Sequence, residues 1–271
     1  MLCPYPVYIK VPDNKIYPYS HYAVPCGKCF FCRQRLANGW FVRIKSDIGT
    51  SPAYFVTLTY NDENLPFDDN GVPCVSRDDF TKFMKRFRKF VGKSNIKYFG
   101  CSEYCPTTYR PHYHFIVWNL PDYKSQNAVE AILTATWNKG FYLVQPVIDE
   151  RIRYVVKYQL EETAVPKEMR PLFRMMSKNI GKPYLEKQST RYFHEGNIEH
   201  YYYRDGEYKY ALPRYFSEKL YTKVERDYFA SKNEEKFRKQ SENPRLYAES
   251  VRIAEKKIRE KFSKTRKKNV I

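Results

Sequence analysis

Six apolar side chains between Phe80 and Val91 constrain this fold more than any other feature of the chain. Phe80, Phe83, Met84, Phe87, Phe90 and Val91 recur at steps of three or four residues or as neighbours, which at about 100° per residue gathers them on one side of a helix. Lys82, Lys85, Arg86 and Lys89 fall opposite. Ser76 is placed to cap the start, and Asp78 and Asp79 suit the positive end of the helix dipole. So broad an aromatic stripe needs a flat apolar partner, and the flanking segments supply one. Tyr54 to Tyr60 (YFVTLTY) is β-branched and aromatic and is closed by Asn61, Asp62 and Pro66. Residues 96–103 (IKYFGCSE) and 112–118 (HYHFIVW) read as two further strands, joined through 104–111 and therefore expected as an antiparallel pair. Asn127 is expected to cap a helix running through Trp137, with Gly140 breaking it and a fourth strand over 141–147. Asp149 is expected to cap another helix reaching about Glu162. The sum is an α+β fold, a central antiparallel sheet of at least four strands flanked by helices, with one face of the sheet covered.

Charge and ring content narrow the function. Over 271 residues, Lys+Arg at 48 against Asp+Glu at 30 gives +18, and 26 Tyr with 18 Phe supply many flat rings. Cations that hold phosphates and rings that stack on bases suit unpaired nucleic acid, and they disfavour an acidic small-molecule enzyme. A mean hydropathy of −0.71, with no apolar run near the ~20 residues a span requires, predicts no membrane partner. The opening residues MLCPYPVYIK lack a basic stretch followed by an apolar one, so no signal peptide is expected and the setting is a reducing cytoplasm. Seven cysteines, an odd number, fit free thiols or a thiolate metal site better than a disulfide framework. From Val251 to Ile271, nine basic residues face two acidic ones, with Val251, Ala254, Ile258 and Phe262 near helical spacing. That predicts a basic, partly helical tail, either solvated or bound along a groove.

Four patches can carry chemistry. His112 and His114, at i and i+2 on a strand, share one face and can converge on a divalent cation; the alternative is a pair of hydrogen-bonded imidazoles. Antiparallel pairing would bring Glu103 beside them as a third ligand. This donor set suits Mg²⁺ or Mn²⁺ when substrate oxygens complete the shell, although imidazoles also attract Zn²⁺ or Co²⁺. Tyr154 and Tyr158, at i and i+4, miss the apolar stripe of Ile152, Val155, Val156, Gln159 and Leu160, and Lys157 lies near Tyr154 around the helix. A nucleophilic phenol needs to lose its proton, and a nearby cation favours that. Without the other patches, this helix would read as a surface face. Cys26, Cys29 and Cys32 form C-x2-C-x2-C, with Cys3 available as a fourth thiolate, the pattern of a structural zinc knuckle or of reduced thiols in a small turn. Lastly, residues 201–216 interleave rings and cations. Asp205-Gly206 reads there as a hairpin turn, with tyrosines lining the strands or stacking on unpaired bases.

Taken together and in this order, Val24 to Arg33 (VPCGKCFFCR), Phe55 to Tyr60, Glu103 with Arg110 to His114 (RPHYH), Tyr154 to Tyr158 (YVVKY) and Leu212 to Phe216 (LPRYF) resemble the replication initiation proteins of the Microviridae, the gokushovirus branch above all. The resemblance implies a rolling-circle endonuclease of the His-hydrophobe-His (HUH) class. Such an enzyme nicks one strand at the origin through a tyrosine, keeps a covalent 5′-phosphotyrosine and a free 3′-OH, and later rejoins the ends. It implies His112 and His114 as the metal pair, Glu103 as an analogous acidic ligand, and Tyr154 and Tyr158 as nucleophiles with Lys157 beside them. Arg110, Tyr60, Arg214 and Tyr215, within these motifs, are the expected DNA-holding residues. Three regions follow: a Cys-rich knuckle and helix over 1–50, the endonuclease core over 51–225, and the basic helical tail over 226–271. The implied partners are single-stranded DNA, replicative-form origin DNA, and the host helicase and polymerase, in the host cell cytoplasm. A relaxase or transposase of the same chemistry, and a non-catalytic single-strand binder, are the alternatives. This chain carries His-Tyr-His where the class name expects a hydrophobe, and Gln159 to Glu162 is acidic where relatives often continue basic.

Overall fold

The computed structural model describes residues 3–11, 20–92, 95–120, 125–157 and 169–268. In chain order the strands are β1 (Val7–Lys10), β2 (His21–Val24), β3 (Ala53–Tyr60), β4 (Lys97–Tyr104), β5 (Pro111–Trp118), β6 (Gly140–Pro146), β7 (Arg174–Met176), β8 (Tyr202–Asp205) and β9 (Tyr208–Ala211). The helices are α1 (Phe30–Ile48), α2 (Arg77–Val91), α3 (Gln126–Thr136), α4 (Asp149–Lys157), α5 (Lys182–Glu186), α6 (Gln188–His194), α7 (Arg214–Leu220), α8 (Lys223–Ser241) and α9 (Pro244–Lys268). The chain forms two compact units, one from residues 41–184 and the other from 1–40 together with 185–271.

The unit of residues 41–184 is built on a five-stranded antiparallel sheet in the order β6-β3-β5-β4-β7. Strict alternation along β5 divides its work. Tyr113, Phe115 and Val117 join Val56 and Leu58 in a core with Phe80, Phe83, Met84 and Phe87 of α2 and Val129, Ile132 and Leu133 of α3. Ser76 caps α2 by accepting from the Asp79 amide, and Gly92 ends it in the left-handed conformation. Phe90, expected on the buried stripe, is 51% exposed. The buried positions on α2 follow steps of three and four from Phe80 to Phe87 and Val91, and Phe90 lies past the edge of that arc. α3 is capped by Ser125 rather than Asn127, with the Ser125 hydroxyl accepting from the Ala128 amide. Gly140 takes a positive φ of 147° where a Cβ would collide with the Thr59 carbonyl, so β6 can start against β3 only with glycine.

Helices cover both faces of this sheet, not one. Phe41, Val42 and Ile44 in the second half of α1 are fully buried, as are Ile152, Val155 and Val156 of α4 to within a few per cent. Arg153 of α4 stacks its guanidinium over Phe41 at 3.8 Å. Asp47 fastens α1 to the sheet: its carboxylate accepts from Trp118 Nε1 at 2.8 Å, Lys97 Nζ at 2.7 Å and the Gly181 amide at 2.5 Å. Three donors around one buried carboxylate satisfy a charge that would otherwise be costly to desolvate.

The other unit contains the β1–β2 and β8–β9 hairpins. The β8–β9 loop is Gly206-Glu207, one residue later than expected, because Asp205 pairs with Tyr208. Tyr201 stacks on Phe229 at 4.0 Å, and His194 Nδ1 pairs with the Tyr221 hydroxyl at 2.8 Å. The basic tail is helical through Lys268, as its spacing predicts. No helix among the described residues is long and apolar enough to cross a membrane.

Candidate metal and nucleophile site

The register of three strands assembles the site. Glu103 on β4 lies directly opposite His112 on β5, while His114 faces Cys101 on one side and Thr57 of β3 on the other. Directly opposed residues share a face, so Glu103, both imidazoles, Thr57 and Thr59 all project away from the α2–α3 core. Glu103 Oε2 stands 3.1 Å from His114 Nε2 and 3.5 Å from His112 Nε2. One donor atom from each of the three residues lies within 4.8 Å of the others.

The imidazoles are oriented through their other nitrogens. His112 Nδ1 is 3.1 Å from the Arg110 carbonyl, which can only accept, so Nδ1 carries the proton and Nε2 keeps its lone pair. His114 Nδ1 lies 2.9 Å from the Thr57 hydroxyl, and Phe55 stacks on the His114 ring with centroids 5.5 Å apart. Burial favours the neutral form of His114 and lowers its pKa, against the opposing pull of Glu103. Two neutral imidazoles with free Nε2 atoms and one carboxylate are suitable ligands for a divalent ion. Cis ligands about 2.1 Å from one ion stand about 3 Å apart, close to the spacing of Glu103 from each imidazole.

The tyrosine helix meets this cluster. Tyr154 donates its hydroxyl to Glu103 Oε2 at 2.8 Å and sets its ring edge-on to His114, with centroids 5.3 Å apart. Ile152, Val155 and Val156 hold α4 against the sheet, which leaves Tyr154 on the side expected from its helical spacing. Lys157 Nζ stands 5.3 Å from the Tyr154 ring centroid. Tyr158 and residues 159–162 lie outside the described residues.

Other expected residues take different places. Tyr60 is a core residue and not a DNA contact: it is wholly buried, with its hydroxyl 2.6 Å from that of Tyr113 and 3.1 Å from Asp79. Arg110 ties β5 to the end of β3 by donating to the Tyr60 carbonyl at 2.7 Å and pairing with Asp62. Arg214 is exposed and paired with Glu218 at 2.6 Å, and Lys219 lies over the ring of half-buried Tyr215. Cys3, Cys26, Cys29 and Cys32 converge in the unit of the terminal segments. Cys26 is held down to about 6, chiefly by the Cys29 amide, whereas burial pushes Cys29 and Cys32 up. Sequence reasoning missed Thr57, Phe55 and the Arg110 carbonyl as the groups that orient the histidines. The period-two alternation of β3 against β5 is the signal that contains them.

Comparison with known proteins agrees with this geometry. The family of replication-associated proteins of the ORF2 type matches residues 53–163, a span that contains Glu103, both histidines and Tyr154. The chain is a relative of phage replication-associated proteins. It is 27% identical over 264 aligned positions to replication-associated protein ORF2 of Spiroplasma virus 4, covering 87% of this chain and 82% of that protein. It is 27% identical over 202 positions to replication-associated protein VP4 of Bdellovibrio phage phiMH2K, covering 66% of this chain and 62% of that protein. No solved structure matches. The resemblance read from the motifs is thereby borne out.

Proposed function

We propose that this chain is a rolling-circle replication initiator that nicks and rejoins single-stranded viral DNA at its origin through a covalent 5′-phosphotyrosine. The observation that carries the reading is the Tyr154 hydroxyl, hydrogen-bonded at 2.8 Å to the carboxylate that faces both histidines. His112, His114 and Glu103 are the residues that would hold Mg²⁺ or Mn²⁺, which would draw negative charge from the oxygens of the scissile phosphate. Tyr154 Oη attacks phosphorus in line, and its proton leaves along the hydrogen bond to Glu103. As the new O–P bond forms, the bond from phosphorus to the 3′ oxygen breaks, and that oxygen takes up a proton to become the free 3′-OH. Lys157 favours the phenolate by its positive charge beside the ring. Tyr158 is the nucleophile for a second transesterification, which would let one protein both open and close the circle.

The partners that follow are single-stranded and replicative-form origin DNA, a host polymerase that extends the 3′-OH, and a host helicase. The sequence has no G-x-x-x-x-G-K-[ST] phosphate loop of its own for unwinding. The reaction then takes place in the host cytoplasm. A nicking assay on end-labelled origin DNA with Mn²⁺ tests the reading. The Tyr154→Phe, Tyr158→Phe double variant is expected to lose at least a thousandfold in nicking rate while binding DNA within about twofold of the parent. Nicking that persists in the double variant would overturn the assignment, and nicking unaffected by EDTA would overturn the role of the metal.

A further inference from the structure

The proposed chemistry leaves the four cysteines of the terminal unit unused. Cys3 and Cys32 are buried, Cys26 and Cys29 are half-buried, and none is in a disulfide. Cys3 Sγ lies 3.6 Å from Cys29 Sγ, and Cys26 Sγ lies 3.9 Å from Cys32 Sγ, with all four sulfurs within 4.8 Å of one another. A disulfide needs sulfurs about 2.05 Å apart. A tetrahedron of thiolates about 2.3 Å from one ion has edges of about 3.8 Å, which is the spacing present.

The surrounding backbone is built for charged sulfur. The Cys26 amide donates to Cys3 Sγ at 3.4 Å, and the Cys29 amide donates to Cys26 Sγ at 3.3 Å. Gly27, between the first two cysteines of the motif, takes a left-handed φ of 73°, so the turn folds its amides back toward the sulfurs. α1 begins at Phe30, which puts Cys32 in its first turn. Cys3 comes from 23 residues upstream of Cys26, so the group joins a remote segment to the helix start.

We infer that Cys3, Cys26, Cys29 and Cys32 form a closed four-thiolate Zn²⁺ site that fixes the N-terminal segment to the start of α1. Four protein ligands leave no open position, the mark of a structural rather than a catalytic ion. Thiolates select zinc over magnesium, manganese and calcium, and at a thiolate site Zn²⁺ binds more tightly than Fe²⁺. Each thiol bound as thiolate releases its proton, so loading lowers the pH of a weakly buffered solution. The site is separate in donor chemistry from the Glu103, His112 and His114 group and stands whether or not that group supports nicking.

The test uses the full-length chain carrying His112→Ala and His114→Ala, so that a metal held by imidazoles cannot contribute. Elemental analysis is expected to give one zinc per chain, and X-ray absorption at the zinc edge a shell of four sulfurs. Cys3→Ser should reduce that shell to three sulfurs and weaken zinc retention against a chelator at least tenfold, whereas Cys105→Ser should leave both unchanged. If Cys3→Ser does not fold, the four-sulfur shell of the parent still supports the site. Iron in place of zinc, a nitrogen or oxygen shell, or less than half an equivalent of any metal would overturn it.

Discussion

The residue between the two histidines separates the two faces of β5. Tyr113 is wholly buried, and its hydroxyl bonds to the Tyr60 hydroxyl at 2.6 Å, the Ser76 carbonyl at 2.7 Å and the Ser76 amide at 3.0 Å. Ser76 is the N-cap of α2, so this hydroxyl anchors the start of the helix that covers the sheet. Tyr113→Phe keeps the ring and removes all three bonds. A net loss of about 1 kcal/mol per bond, plus the cost of stranding the buried Ser76 groups, comes to about 3–4 kcal/mol. At about 2–4 °C per kcal/mol for a chain of this size, the midpoint of thermal unfolding should fall by about 6–15 °C. The hydroxyl faces away from Glu103, so metal affinity and nicking measured well below that midpoint should stay within about threefold of the parent. A stability loss under 1 kcal/mol, or a hundredfold loss of nicking in folded protein, would refute this division of the strand.

Other consequences follow from the same contacts. Asp47→Ala strands Lys97, Trp118 Nε1 and the Gly181 amide, and urea unfolding should report a loss of about 3–5 kcal/mol. Burial raises the pKa of Tyr60 and Tyr113 above the ordinary value near 10. The folded state therefore holds these protons where the unfolded chain releases them, and stability that is full below about pH 10 should decline as pH rises beyond it. Burial lowers the pKa of His114, so the sign reverses: its contribution is present above about pH 6.5 and is lost as pH falls below that value. Thr57→Val removes the partner of His114 Nδ1, and Mn²⁺ affinity by calorimetry should drop about tenfold with little change in fold.

Much of this arrangement could be read from residue order, because it depends on two short periodicities. The helical steps from Phe80 to Val91 require a sheet beside them, and the two-residue period of β5 places His112 with His114 once the turn before Pro111 pairs β4 with β5. Glu103 follows from that pairing alone. Where several side chains compete for one role, the pattern is silent. Ser125 and Asn127 are both good caps, and the choice depends on where α3 meets the sheet. Tyr60 ends a strand in a tyrosine-rich chain, and only the neighbouring hydroxyl of Tyr113 and the carboxylate of Asp79 make it a core residue. Phe90 looks apolar enough to bury, yet the sheet lies too far around the helix. The hold of α1 on the second face comes through Asp47, a charged residue whose partners lie 50, 71 and 134 positions away. No local spacing encodes contacts of that range.

The most direct test of the central claim is to incubate the chain with single-stranded origin-region DNA and Mn²⁺ or Mg²⁺, trap any protein–DNA adduct, and map the modified peptide by mass spectrometry. The account predicts a metal-dependent adduct through the phenolic oxygen of Tyr154, with Tyr158 as the second acceptor. Tight DNA binding without an adduct in either metal, or an adduct on a residue outside α4 and Tyr158, would contradict it.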